Sequence, residues 1–244
     1  MGPYYLAYEK RYQKVYEAGI DRWGHRPDDD GLLRTLTKWV NDHKLRGKKI
    51  IEFACGEGAC GVILSELGCV YHGVDVAPSA LEKASQTLVL YPNATVSQLD
   101  MTRDALPDKY DAALDCMGFH MLVLDRDRQR YLRNAFTCLK PGAPMLFFRE
   151  CYEKNAYAGM VESFEQWQKI SGSDYATPRI ESAAHNGCGI EVSIPFVPAR
   201  ARTEDDYRKE MTDAGFIVDE FIDNAFSVQN NMSATIFVHR RKTS

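Results

Sequence analysis

A chain of 244 residues, 45% hydrophobic and 26% charged, can bury a substantial core without disulfides or metal staples, and its composition excludes collagenous, coiled-coil and disordered classes. Thirty Lys and Arg against thirty-four Asp and Glu give a net charge of −4, and no block of like charges supplies the phosphate-neutralising surface that nucleic acid requires. No apolar run reaches the roughly 18 to 20 residues of a membrane span, and the Tyr-rich beginning has no signal-peptide core. The expectation is a cytoplasmic protein, monomer or homodimer, with neither nucleic acid nor membrane as partner. Seven Cys without a C-x-x-C read as reduced thiols, so no metal is expected.

Tyr4, Tyr8, Tyr12 and Tyr16 recur every fourth residue on one helical face, which serves either as a core stripe or as a lid over a ligand. Asp28, Asp29 and Asp30 then open a second helix on Leu32, Leu33, Leu36, Trp39 and Val40, expected to end at Gly47. From Ile50 the pattern alternates. Strands are predicted at 50–54, 70–75, 96–99, 110–116 and 145–148. Between them lie helices on Val62 to Leu67, on Pro78 to Leu88 and on Tyr131 to Leu139. This rhythm predicts an α/β doubly wound, mainly parallel sheet with helices on both faces.

After Glu150 the rhythm breaks. Met160, Phe164 and Trp167 look helical, Ile190 to Ile194 alternates like a half-exposed strand, and an insert of this length reads as a lid, a substrate wall or a dimer contact. A helix through Tyr207 and Met211, then strands at 216–221 and 234–239 joined by a turn at Asn230-Asn231, close the pattern as an antiparallel edge hairpin. The division expected is one domain, 1–244. It comprises a helical cap (1–46), a cofactor-binding core (47–150), a substrate-side insert (151–202) and the last helix with its hairpin (203–244).

Doubly wound sheets bind ligands at the carboxyl ends of their strands. The first strand ends in Glu52-Phe53-Ala54-Cys55-Gly56-Glu57-Gly58 and runs into a helix N-terminus, where glycines admit a ligand and free N–H groups hold an anionic group. The second strand ends in Asp75, placed to accept hydrogen bonds from a ribose. Gly56 to Gly61 also satisfies G-x-G-x-x-G, so a nicotinamide dinucleotide competes with other nucleotide-like cofactors on the loop alone. A non-catalytic nucleotide sensor or partner subunit using the same cradle is a third reading.

The chain resembles the class I S-adenosylmethionine-dependent methyltransferases over residues 48 to 150 and 203 to 240. The resemblance rests on Glu52 to Gly58, Gly73-Val74-Asp75-Val76-Ala77, Leu99-Asp100-Met101, Tyr110-Asp111, Phe119-His120, Leu139-Lys140-Pro141-Gly142 and Ala214-Gly215-Phe216. It implies a seven-stranded Rossmann-like sheet, with S-adenosylmethionine as cofactor and S-adenosylhomocysteine as product. It further implies that Glu52 orders the loop and faces the methionyl amino group, that Gly56 and Gly58 give close backbone approach, and that Asp75 binds the ribose with Val76 against the adenine. Asp100 resembles the residue that bonds the adenine amino group, with Met101 beside the ring and Cys116 beneath the sulfonium. Ala54 departs from the family, which has a glycine there.

Methyl transfer from a sulfonium is an in-line displacement, so alignment, worth roughly 7 to 11 kcal/mol at its upper end, outweighs the about 3 to 5 kcal/mol that a general base supplies. His120 is the candidate base. Arg149 and Tyr152 are candidates for the acceptor beside Phe119, while Tyr16 and Trp23 are candidates to close over the ligand, Trp23 with a cation–π face. His185 and Arg200 are further, weaker candidates. No Asn/Asp-Pro-Pro-aromatic sequence, Pro-Cys or carboxylate cluster marks the nucleic-acid, release-factor or catechol-type subclasses. The expected reaction is methylation of an O, N or S nucleophile on a small, partly apolar molecule.

Overall fold

In the computed structural model, which describes residues 3–185, 188–225 and 232–242, the alternating apolar runs become one mixed sheet. The first five strands are β1 (Lys49–Phe53), β2 (Val70–Asp75), β3 (Ala94–Gln98), β4 (Ala112–Cys116) and β5 (Pro144–Cys151). They are all parallel, in the spatial order β3-β2-β1-β4-β5. Two more strands, β8 (Phe216–Ala225) and β9 (Met232–Arg240), follow, with β9 antiparallel to both β5 and β8 and lodged between them. The seven-stranded, doubly wound prediction therefore holds. The antiparallel strand beside β5 separates this order from the six-strand order of dinucleotide-binding sheets, although the loop motif is shared.

Strand periodicity of two divides the core. Ile51, Phe53, Met145 and Phe147 face the layer of α5 (Asp125–Cys138) and α7 (Glu204–Asp213), whereas Ile50, Leu114, Leu146 and Phe148 face α2 (Asp30–Asp42), α3 (Ala59–Glu66) and α4 (Pro78–Thr87). Both faces are covered, which is why these strands read as short apolar runs. Asp29 caps α2 by accepting from Leu32 N at 2.8 Å, Pro78 opens α4, and Thr203 with Asp206 forms a capping box on α7.

Several boundaries differ from the sequence pattern. The α2 helix stops at Asp42, because the chain turns through Lys44 at φ 55° before it reaches Gly47. The α5 helix begins six residues before Tyr131, its first turn carrying Asp125 and Asp127 where helix N–H groups favour acids. In the insert, α6 (Phe164–Ser171) excludes the exposed Met160, and β7 (Cys188–Ile194) pairs with β6 (Arg179–His185) as a separate hairpin. The β6 strand escaped the sequence reading because its residues do not alternate apolar with polar. The Asn230-Asn231 turn and the side chain of His185 lie outside the described residues.

The N-terminal stripe splits, with Tyr4 in a 3-10 turn over Tyr4–Leu6 and the rest on α1 (Ala7–Glu17). Val15 and Ile20 pack on Val192 and Ile194 of the hairpin. Three non-glycine residues with left-handed backbone sit side by side at the strand ends: Ala54 (φ 50°) after β1, Met117 (φ 64°) after β4 and Arg149 (φ 59°) in β5. Each costs about 1–2 kcal/mol relative to ordinary backbone. The register of β5 on β9 shifts between Phe147 and Glu150, so a bulge turns Arg149 out of the ladder.

Candidate active site at the strand ends

Two adjoining cavities, one smaller than the other, open over the carboxyl ends of β1, β2 and β4 and share Tyr12, Ala54 and Met121 in their walls. The smaller is floored by Val74 to Val76 and Leu99 to Thr102 and roofed by Tyr5, Tyr8 and Tyr12. Its key acid is Asp75, whose Oδ2 accepts from Gly56 N at 2.9 Å and whose Oδ1 accepts from Ala77 N at 2.9 Å. Burial pushes this carboxyl up despite those bonds. Asp100 is held by Thr102 N (2.9 Å), Thr102 Oγ1 (2.7 Å) and Tyr5 OH (2.7 Å). Each carboxylate oxygen can take two donors, so both acids keep acceptor capacity toward the cavity.

The larger cavity is lined by the glycine loop, Glu52, Cys60, Cys116 and Met117, and by Trp23, Gly24 and His25 from the segment ahead of α2. Glu57 binds that segment down. Its carboxylate, 3% exposed, accepts from Trp23 N (2.9 Å), Gly24 N (2.7 Å) and Tyr16 OH (2.7 Å). A second clasp is Arg149, which donates to both oxygens of Asp29 at 2.9 Å and lies 3.2 Å from His25 Nδ1. Among the glycines, Gly56 admits close approach, since a Cβ there would meet Tyr12 OH at 2.9 Å, and Gly61 lets α3 lie against Tyr71.

A family model described as a methyltransferase domain matches residues 51–145. The chain is 26% identical over 152 residues to the ubiquinone biosynthesis O-methyltransferase of Stutzerimonas stutzeri, across 59% of this chain and 64% of that protein, so it spans just under two thirds of this relative. The fold is similar to that of the CcbJ methyltransferase from Streptomyces caelestis (TM-score 0.66, 14% identity, 96% and 99% of the two chains covered). It is also similar to that of the cyclase SpnF (TM-score 0.69, 14% identity, 100% and 98% covered). Residues 51–145 thus carry a methyltransferase domain, and the fold is shared with S-adenosylmethionine-dependent methyltransferases of known structure.

The cofactor of these methyltransferases, S-adenosylmethionine, suits the donor set present. A buried carboxylate preorganised by two backbone amides matches a vicinal diol, and an apolar slot between Val76, Leu99 and Met101 matches a flat purine. The glycine loop borders the second cavity together with Glu52, beside which an amino-acid tail would lie. Of the ten residues the sequence assigned to the cofactor, Trp23, Glu52, Ala54, Gly56, Asp75, Val76, Asp100, Met101 and Cys116 line one cavity or both. Gly58 lines neither; at φ 80° it caps α3 and faces Ala84 and Leu88, so its role is the turn and the packing of α4. The carboxyl of Glu52 is pushed well up by burial and accepts from Tyr71 OH at 2.5 Å. Arg11 stands 5.0 Å above the Trp23 ring.

The catalytic and acceptor assignments fare differently. His120 is 4% exposed and turned away from both cavities, its backbone N and Nδ1 both bonded to Glu150 Oε2 at 2.8 and 2.9 Å; Met121 takes its place in the walls. Phe119 is fully buried among Tyr131, Phe147 and Tyr207, and Tyr152 packs on Phe221. Tyr16 spends its hydroxyl on Glu57 and lines a separate outer pocket. Arg149 reaches the larger cavity through His25. Arg200 is buried and bonded to Asp125 (2.9 Å) and Val123 O (2.9 Å), a brace for the insert. The sequence reading missed Glu57 and His25. An acid inside a glycine loop is a usable signal for Glu57, whereas nothing local marks His25. Among the described residues no group of three or more His, Cys, Asp or Glu is placed to hold a metal, and no helix is long and apolar enough to cross a membrane.

Beneath the cavities lies a buried acid network. Asp115 accepts from Gly118 N (2.7 Å), Phe119 N (3.1 Å) and Tyr131 OH (2.5 Å), beside the Glu150–His120 pair. Burial pushes Asp115 well up and Glu150 up to about 7, and His120 is also raised, as burial is outweighed chiefly by the neighbouring Cys151. The folded state therefore keeps protons on these acids that the unfolded chain releases above its ordinary carboxyl range. The raised His120 adds stability that is likewise lost as pH rises. Stability should fall as pH rises from about 5 to about 8. Glu150→Gln, whose carbonyl can still accept from His120, should flatten that slope; a Tm series across this window checks both, and a Tm that climbs with pH contradicts the network.

Proposed function

We propose that this protein transfers the methyl group of S-adenosylmethionine to an oxygen, nitrogen or sulfur nucleophile of a small molecule. The similarity to ubiquinone biosynthesis O-methyltransferases favours oxygen. The observation that carries the reading is the pair of joined cavities. One presents Asp75 to a diol and the other continues past the glycine loop under Trp23 and Met117. When bound, the cofactor supplies a methyl carbon already activated by a sulfonium. The residues of this chain orient and desolvate: Tyr5, Tyr8 and Tyr12 roof one end, and Trp23, Met117 and Met121 keep water from the other. With His120 turned into the core, displacement here rests on alignment, and the acceptor's proton passes to solvent or to a group on the acceptor itself.

Thermal-shift titration tests this. A ligand that binds only the native state stabilises it by about 2.7 kcal/mol at a hundred times its Kd, which for a domain of this size raises Tm by roughly 5 to 11 °C. S-adenosylhomocysteine should give that shift, while NAD and NADP leave Tm unchanged. Stabilisation by the dinucleotides alone rejects the proposal.

A further inference from the structure

In the wall of the larger cavity, the segment before α2 brings the half-buried His25 against two partners. Its Nδ1 lies 3.2 Å from Arg149 Nη1, and its Nε2 lies 3.0 Å from Met117 Sδ. A guanidinium can only donate, so Nδ1 is the acceptor and the proton of the neutral imidazole sits on Nε2. Burial opposes a second proton on the ring, and Cys116 favours one strongly enough to raise it above its ordinary value. A proton on Nδ1 would nevertheless face a cation, so the ring that keeps this contact is neutral. Arg149 is itself fixed by Asp29, whose two oxygens each accept from one guanidinium nitrogen at 2.9 Å. A clasp between the cap of α2 and the bulge of β5 thus sets both the tautomer and the direction of the ring.

The Nε2–H of this ring meets only a thioether, and a thioether is a weak acceptor. An oxygen lone pair that enters the cavity is a better partner and displaces the sulfur. Trp23, Met117 and Met121 around it give a soft, polarisable wall, so a directed N–H there is the kind of polar point that fixes orientation in an otherwise apolar pocket. We propose that His25 is a specificity-determining residue whose Nε2–H binds an uncharged hydroxyl or carbonyl oxygen of a flat, apolar ligand lying against Trp23, Met117 and Met121. On the methyl-transfer reading, on which this assignment rests, that ligand is the methyl acceptor. Charge disfavours a carboxylate at this point, because the guanidinium is met by both oxygens of Asp29 and Glu57 lies in the same wall. A ring already protonated at Nε2 takes no proton from the acceptor, so His25 orients rather than acts as a base, in keeping with displacement that rests on alignment.

Two probes of nearly equal shape that differ in one oxygen, para-chlorophenol and para-chlorotoluene, test this. Each is titrated into the full chain, with and without S-adenosylhomocysteine, and followed by ligand-observed NMR. The phenol should bind the unmodified protein about tenfold more tightly than the toluene, the scale of one hydrogen bond. His25→Ala should abolish that preference and leave the toluene unchanged, whereas a change that merely loosened the wall would weaken both alike. His25→Gln, whose amide places a donor near the Nε2 position, should restore part of the preference. Nitrogen NMR of the histidine rings should show His25 with its proton on Nε2. A phenol that binds no better than the toluene, equal losses of both in His25→Ala, or a proton on Nδ1 overturns the proposal. So does para-chlorobenzoate binding more tightly than the phenol, which would make the site one for anions. A loss of S-adenosylhomocysteine affinity beyond about threefold in His25→Ala would assign the donor to the cofactor and overturn it as well. Failure of S-adenosylhomocysteine to bind the unmodified protein overturns the methyl-transfer reading instead, and the probe pair on the free chain still decides the role of His25.

Discussion

Replacing Asp75 by Ala should weaken binding of S-adenosylhomocysteine by about a hundredfold, read by isothermal titration calorimetry. A hydrogen bond to a charged acceptor contributes about 1.5–3 kcal/mol, and the carboxylate offers two oxygens to a diol, so a loss near 3 kcal/mol is expected. The substitution acts twice, since it also leaves Gly56 N and Ala77 N without the partners that fix the loop. Asp75→Asn should fall between the two, because its amide group presents a donor to one of those N–H groups. The unliganded Tm of each variant separates the loop effect from the ligand effect. An affinity within threefold of the unmodified protein would place the diol elsewhere.

Glu57→Ala should have the largest effect on stability of any single change at the site. The carboxylate is buried and satisfies two backbone N–H groups and a phenol, and an abandoned buried donor costs about 1–3 kcal/mol. A total near 3 kcal/mol corresponds to a fall in Tm of roughly 6 to 12 °C for a domain of this size. Because Trp23 and Gly24 form the wall of the larger cavity, limited proteolysis should cut between residues 17 and 29 faster in the variant. Glu57→Gln keeps one acceptor oxygen and should lie midway. A variant with unchanged Tm and unchanged proteolysis would show that the segment is anchored by its other contacts, Arg149 with Asp29 and Arg22 with Thr87 among them.

The parts of this protein that were legible in its sequence are those governed by local period and strand-end position. Asp75, Val76, Asp100, Met101 and Cys116 each end or follow a parallel strand, and a parallel ladder fixes which end faces the ligand. The acceptor side was not legible, for identifiable reasons. His120 stands in a 3-10 turn over Phe119–Met121, where a one-residue rotation exchanges core for cavity, and Met121 rather than His120 faces the ligand space. Arg149 was rightly placed at the end of β5, but a bulge aims it at Asp29, a helix cap more than a hundred residues earlier. Glu57 and His25 act through contacts between distant segments that carry no periodic signal.

The roof over the smaller cavity has a consequence for how the molecule is made. Tyr8 donates to Pro198 O at 2.8 Å, Arg11 to Pro195 O at 3.2 Å, and Val15 packs on Val192 and Ile194. On the ribosome these contacts of Tyr8, Arg11 and Val15 must wait until roughly 190 more residues have been translated, at about 5 to 20 residues per second, although Tyr5 and Tyr16 find Asp100 and Glu57 earlier. The parallel strands β1 to β5 pair before then. The nascent chain thus holds five parallel strands, still without β8 and β9, for about 2 to 9 seconds before the residues that brace the roof over its ligand space have been made.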